Sequence, residues 1–275
     1  MKITSFLKFS LPLATIFLSN FLPLGNSAKA DIAISPMIIE TQAKRGQAKG
    51  ILTVSNLNEK AFRARVYTSA FTYDKEQGFQ TLKSSPNDLA PYLQFSPREL
   101  QVDGSTQRSI RFITRFPPSL PDGEYRTMIF TENLEATKVT ETDNTRGVTV
   151  NTAIIPRIGV AVYVRKGNVS PNLAVSSARF NPQASKLQLL VTNKGKASAI
   201  TSGEWKLKRG NQTVQTGNIG DTTIIAEGDR YLSLTPPKSN QSQLLPGDYE
   251  LSGELTWGEK KNTIPFKVTV NILNN

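Results

Sequence analysis

Between Val148 and Val164 every second residue reads Val, Val, Thr, Ile, Pro, Ile, Val, Val, Val. Seven of those nine positions are strongly apolar, whereas the positions between them (Thr149, Asn151, Ala153, Ile155, Arg157, Gly159, Ala161, Tyr163 and, just beyond, Arg165) are mixed. A period of two over such a length marks extended chain with one face set against a core. At about 3.3 Å per residue the stretch would reach roughly 56 Å, against five or six residues for an ordinary strand. A single sandwich cannot cover that length. Pro156 has no N–H, so the chain must bend there or run along a sheet edge.

Two readings stand. The stretch is either two consecutive core strands, 148–155 and 158–165, each covered by its own sandwich, or an edge kept for another polypeptide, which is β-strand addition. Long apolar edges are normally suppressed because they template pairing with other chains. The segment Leu134–Gly147 that precedes it is polar and without periodicity, and reads as a mobile loop that would leave the first part of the strand unpaired until a partner arrives. Length, Pro156 and this loop together mark Val148–Ile154 as the half offered outward, with Ile158–Val164 anchored in its own sandwich.

Short alternating runs recur elsewhere: Ile51–Val54, Arg63–Thr68, Ser109–Ile113, Tyr125–Thr131, Lys186–Thr192, Trp205–Lys208, Tyr231–Leu234, Tyr249–Leu255 and Ile264–Ile272. Each is rich in β-branched or aromatic residues and bounded by turn formers, and none is joined by a capped run of helical period. This is the pattern of an all-β chain of sandwiches or barrels. A weak repeat divides it. Val54-Ser55-Asn56 is echoed by Val191-Thr192-Asn193, and Leu120-Pro121-Asp122-Gly123-Glu124-Tyr125 by Leu245-Pro246-Gly247-Asp248-Tyr249. A turn running into a tyrosine at the head of a strand is the tyrosine corner of immunoglobulin-like sandwiches, in which the hydroxyl bonds back to upstream backbone. Two related sandwiches are expected, residues 31–166 and 167–275, separated near Lys166–Pro171.

The first thirty residues read as an export signal: Lys2 and Lys8, an apolar run from Phe9 to Leu24 interrupted by Pro12, Ser19, Asn20 and Pro23, then Ala28-Lys29-Ala30. Cleavage is expected after Ala30. The run is too short and too broken to span a bilayer, and no later segment is apolar enough, so no membrane span is expected after cleavage. The expected address is the periplasm, which suits an exported chain without cysteine. Asn168, Asn211 and Asn240 head Asn-x-Ser/Thr triplets that matter only in a eukaryotic host. Beyond residue 30 there are 30 Lys and Arg against 22 Asp and Glu, with the excess divided evenly between the two halves. Nucleic-acid binders concentrate such charge in one stripe, so no nucleic-acid partner is expected.

Histidine and cysteine are both absent. Ser–His–Asp and Cys–His catalysis are thereby excluded, as are zinc sites of the His/Cys kind. The single Ser-x-x-Lys spacing, Ser5 and Lys8, lies in the segment to be removed, and glycine-rich phosphate loops are missing. The Asp and Glu residues lie mostly in polar turns and read as solvated surface rather than as a glycosidase pair. No enzyme activity, cofactor or metal is expected.

In the order and spacing of its motifs the chain resembles the PapD-like periplasmic chaperones of pilus and fimbria assembly, best over residues 31–166. The resemblance rests on Ile34-Ser35-Pro36, Gly50-Ile51-Leu52-Thr53-Val54-Ser55-Asn56, and Leu93-Gln94-Phe95-Ser96-Pro97-Arg98-Glu99-Leu100 with Gly104, Gln107 and Arg111. Pro121-Asp122-Gly123-Glu124-Tyr125-Arg126 and the long strand ending Val160–Arg165 complete it. It implies two immunoglobulin-like β-sandwich domains joined in an L, with a subunit-binding cleft between them. It also implies a donor strand that completes the fold of a pilin-like subunit. The implied subunit-binding strand is Val148, Val150, Thr152 and Ile154, with Val160, Val162 and Val164 covering their own domain. The family also holds the subunit's terminal carboxylate with an arginine on the first strand and a lysine on the long strand. Here Ile38 stands at the first-strand position and Ala161 near the second, leaving Arg157 as the carboxylate anchor candidate and Arg165 as a domain-interface candidate. Pilin-like protein subunits are the implied partners, with an outer-membrane usher an open second one. The alternative is a structural or scaffolding envelope protein that self-associates through its edge strand.

Overall fold

A computed structural model describes residues 32–143, 147–237, 244–259 and 261–273. The proposed export signal and Asn240 lie outside these residues. The first twelve strands are β1 (Ile32–Ser35), β2 (Ile38–Gln42), β3 (Gln47–Asn56), β4 (Phe62–Asp74), β5 (Gly78–Leu82), β6 (Leu93–Ser96), β7 (Glu99–Val102), β8 (Gln107–Arg115), β9 (Gly123–Asn133), β10 (Thr137–Asp143), β11 (Val148–Ile154) and β12 (Arg157–Lys166). Seven more follow: β13 (Leu173–Asn181), β14 (Lys186–Asn193), β15 (Ala199–Arg209), β16 (Gln212–Ile224), β17 (Gly228–Leu234), β18 (Gly247–Trp257) and β19 (Asn262–Ile272). All nine runs singled out by alternation fall inside strands. Strand β16 escaped that reading because its Gln212–Ile224 sequence is polar and twice interrupted by glycine, and only its pairing with β15 makes it a strand.

The chain is an all-β pair of sandwiches. In the first, the sheet β1–β3–β8–β6 faces the sheet β2–β12–β9–β4–β5, with β7 also paired to β4. Alternation along β3, β8 and β12 delivers Leu52, Val54, Ile110, Phe112, Val160, Val162 and Val164 to one core, and these are almost wholly buried. The second sandwich sets β13–β14–β17 against β16–β15–β18–β19. Its core is built on Leu189, Val191, Leu207, Leu232, Leu251 and Leu255.

The internal repeat has a physical basis. Asn56, buried at the end of β3, donates from Nδ2 to the carbonyls of Lys60 (2.8 Å) and Val102 (3.1 Å) and accepts the N–H of Asn58 (3.0 Å). Asn193, buried at the end of β14, donates to Ala197 (2.8 Å) and Ile224 (3.2 Å) and accepts from Gly195 (3.0 Å). Each amide satisfies backbone groups that the strand leaves behind where it enters a loop. Both tyrosine corners are present: Tyr125 donates to the carbonyl of Pro121 at 2.9 Å, and Tyr249 to that of Leu245 at 2.7 Å.

Candidate functional site: a free strand edge

The stretch 148–164 is two strands, not one continuous edge, because Ile155 and Pro156 interrupt the ladder. Strand β12 is held on both sides. It pairs antiparallel with β9 over its whole length, and parallel with β2 from Ala161↔Ile38 to Arg165↔Gln42. Among the described residues strand β11 pairs only with β10, from Val148↔Asp143 to Ile154↔Thr137. This pairing corrects the expectation of a loop over Leu134–Gly147. Four of the seven residues in Thr137–Asp143 are β-branched, so the segment suits an extended ladder despite its polarity. The carbonyl of Pro156 accepts the N–H of Asn133 at 3.0 Å, so the ring removes a donor without unzipping the hairpin.

Among the described residues the other edge of β11 has no neighbouring strand, and neither has the stretch Arg157–Val160 of β12 that β2 does not reach. The two halves differ sharply in burial. Val160, Val162 and Val164 are fully buried, whereas Val150 is 55% and Ile154 46% exposed, with Thr152 exposed between them. Ile155, on the opposite face, is also exposed. The side chain of Val148 lies outside the described residues. At the point where β2 takes up pairing with β12, Met37 and Ile38 are exposed as well.

Arg157 opens β12 and is drawn onto the outer face of its sheet. Its guanidinium lies 4.5 Å from the centre of the Phe130 ring, and Nη1 donates to Tyr67 Oη at 3.3 Å. Tyr67 in turn donates to Glu132 Oε2 at 2.6 Å, and Arg65 Nε donates to Oε1 at 3.1 Å. The Tyr67 hydroxyl, then Arg65, hold the Glu132 carboxyl below the usual carboxylate range. The clamp positions implied by the resemblance are neighbours in register, but they are Ile38 and Ala161, and Arg157 stands four residues before Ala161.

Sequence reasoning passed over Arg126. It pairs with Tyr163 and lies on the outer face of β9, beside the apolar cluster of Phe71, Met128, Phe130 and Tyr163 that Ile225 of the second sandwich covers. Arg126 is 7% exposed, and neither Nε nor Nη1 has a hydrogen-bond partner among the described residues. Burial lowers its pKa, opposed by Glu124, Tyr163 and Glu227. The only local signal is its place out of phase with the inward Tyr125; the segment Asn87–Leu89 pairs with its backbone, and Ile225 of the second sandwich covers the cluster beside it.

Arg165 connects the sandwiches. Its Nε donates to Glu124 Oε2 at 3.2 Å, and its Nη2 donates to Glu40 Oε1 at 2.9 Å and to the carbonyl of Ser198 at 2.8 Å. The fully buried Glu124 side chain also accepts the Ser198 N–H at 2.9 Å and the Ser198 hydroxyl. Partial burial pushes the Glu40 carboxyl above its ordinary value; Arg165 opposes this and Glu124 adds to it. An open groove of about 630 Å³ runs alongside, lined by Glu40, Gln42, Arg165, Ser198, Trp257 and Glu259 among others. Among the described residues no group of three His, Cys, Asp or Glu could hold a metal ion, and no helix is long and apolar enough to cross a membrane.

No family model matches the chain, and no curated protein does. Solved structures do. The chain is similar to the CsuC–CsuE chaperone–tip adhesion subunit pre-assembly complex of Acinetobacter baumannii, at 13% identity over 89% of this chain and 100% of that one, with a TM-score of 0.49. It is similar to the structure of Salmonella enterica SafA pilin with the SafB chaperone, at 12% identity over 90% and 98%, TM-score 0.46. The Escherichia coli chaperone DraB is similar at 14% identity over 86% and 95%, TM-score 0.44.

Proposed function

We propose that this chain is a periplasmic chaperone that binds pilus- or fimbria-type subunits by donor-strand complementation during assembly of a surface fibre. The observation that carries the reading is the edge of β11 that has no neighbouring strand among the described residues, with Val150 and Ile154 exposed, joined through Ile155 and Pro156 to a strand whose own valines are locked in a core. Such an edge offers backbone hydrogen bonds for affinity and alternate side chains for specificity. The anchored half matters as much, since a donor strand fixed at one end loses less freedom on binding. The motif resemblance over residues 31–166 supplies the class of partner.

In this reading Val148, Val150, Thr152 and Ile154 enter the subunit, and Arg157 is the cation available to meet an acidic group on it. Arg165 keeps the two sandwiches, 31–166 and 167–275, in register. Export follows from a signal cleaved after Ala30, and the chain works by binding, not by catalysis.

The test is capture. The tagged chain is recovered from the envelope and its co-purifying proteins identified by mass spectrometry. Val150→Glu and Ile154→Glu are expected to lose a pilin-like subunit while circular dichroism stays unchanged. Undiminished capture by both variants overturns the donor-strand role. Self-association in sedimentation with no smaller partner favours the structural alternative instead.

A further inference from the structure

The sheet β1–β3–β8–β6 has its inner face on the core it shares with β12 and its outer face turned away from it. That outer face carries Ala33 and Ser35 from β1, Lys49, Ile51, Thr53 and Ser55 from β3, Gln107, Ser109, Arg111, Ile113 and Arg115 from β8, and Gln94 and Ser96 from β6. No carboxylate is among them. Lys49 and Arg111 are exposed and make no ion pair or hydrogen bond among the described residues, and Arg115 meets only the neutral Gln94, at 3.0 Å. Some surface cations elsewhere are ion-paired, as in Arg63–Glu99, Lys75–Asp229 and Lys267–Glu250.

Between these cations lies an apolar groove of about 610 Å³ running across β3, β8 and β6, in which Ile51 is 52% exposed and Ile113 half-buried. We propose that this face docks an acidic segment of a partner polypeptide, with apolar side chains over Ile51 and Ile113 and carboxylates on Lys49, Arg111 and Arg115. Unpaired charge of one sign around an apolar centre steers and orients an oppositely charged partner. Charge sets the occupant: this face carries cations and no carboxylate, which an acidic polypeptide complements, and an anionic bilayer is the competing outcome of the test. The proposal goes beyond the donor-strand reading and uses none of its residues.

The experiment is fluorescence anisotropy on the full chain with a labelled peptide alternating Leu and Glu. A Leu–Lys peptide of equal length and vesicles of phosphatidylglycerol with phosphatidylcholine are run beside it. The acidic peptide is expected to bind, and Arg111→Glu and Ile51→Glu each to weaken it by about tenfold or more. Lys186→Glu makes the same charge change on an exposed position of the second sandwich and is expected to stay within about twofold of the native chain. Val150→Glu is expected to bind the peptide normally, which separates this site from the donor strand. Near-ultraviolet circular dichroism checks that each variant keeps its packing. No binding of the acidic peptide, equal weakening by Lys186→Glu, or binding of the vesicles in its place overturns the proposal.

Discussion

Arg165 of β12 donates from Nη2 to the backbone carbonyl of Ser198 at 2.8 Å, and so ties the last strand of the first sandwich directly to the second. The same guanidinium meets Glu124, whose side chain has no exposed surface. Removing it leaves a buried carboxylate with only the Ser198 donors. Arg165→Ala is expected to cost roughly 2–4 kcal/mol in urea unfolding. Arg165→Lys should recover only part of the loss, because an ammonium cannot span Glu40, Glu124 and Ser198 together. A change within experimental error would show that the contact does not hold the sandwiches.

The two halves of the 148–164 stretch should answer oppositely to substitution. Ile154→Ala removes an exposed side chain and is expected to change stability by less than about 0.5 kcal/mol. Val162→Ala empties part of the first core and is expected to cost roughly 2 kcal/mol. Chemical denaturation of the purified chain distinguishes them, and equal costs would mean that β11 is packed rather than offered.

Asn56 and Asn193 should behave as structural equivalents. Alanine at either position orphans several buried backbone groups, and each variant is expected to lose roughly 2–4 kcal/mol. Tyr125→Phe and Tyr249→Phe each remove one bond and should lose only about 1 kcal/mol. Thermal unfolding of the four variants would reveal whether the halves of the repeat carry matching loads.

Glu40 makes stability depend on pH. A glutamate in the unfolded chain titrates near about 4.3. In the folded chain Glu40 titrates higher, because partial burial disfavours its anion more than Arg165 favours it. The folded state therefore holds this proton more tightly. Its contribution is fully present below the unfolded value and is lost as pH rises through the folded one. Glu40→Gln is expected to raise the midpoint of thermal unfolding at about pH 7.5 and to make no difference at about pH 4, below both values. A loss of stability at the higher pH would mean that the attraction of Arg165 outweighs burial.

Much of the fold was legible because its signals are local. Alternation in runs such as Ile51–Val54 and Tyr249–Leu255 places side chains on two faces whatever the rest of the chain does. The tyrosine corners close over four residues, and the Asn56 and Asn193 amides begin with bonds a few residues away. Strand β10 was missed because polar side chains hid a β-branched ladder that needs its partner β11 to be recognised.

The alternation from Val148 to Val164, with Pro156 inside it, is a property of the sequence by itself, and it determined that the stretch is extended with an apolar face. It does not distinguish β11 from β12, since valine and isoleucine repeat equally in both. The tertiary structure decided that, because β2 pairs with Ala161–Arg165 and the core of the first sandwich takes in Val160, Val162 and Val164 with Ile158 partly buried against it, and, among the described residues, none of β11. The environments of Glu124 and Ser198 likewise arise where chain segments 74 residues apart meet. A side chain's pattern is written into its neighbours in sequence, but whether an edge is covered or a charge buried depends on which distant segment arrives beside it.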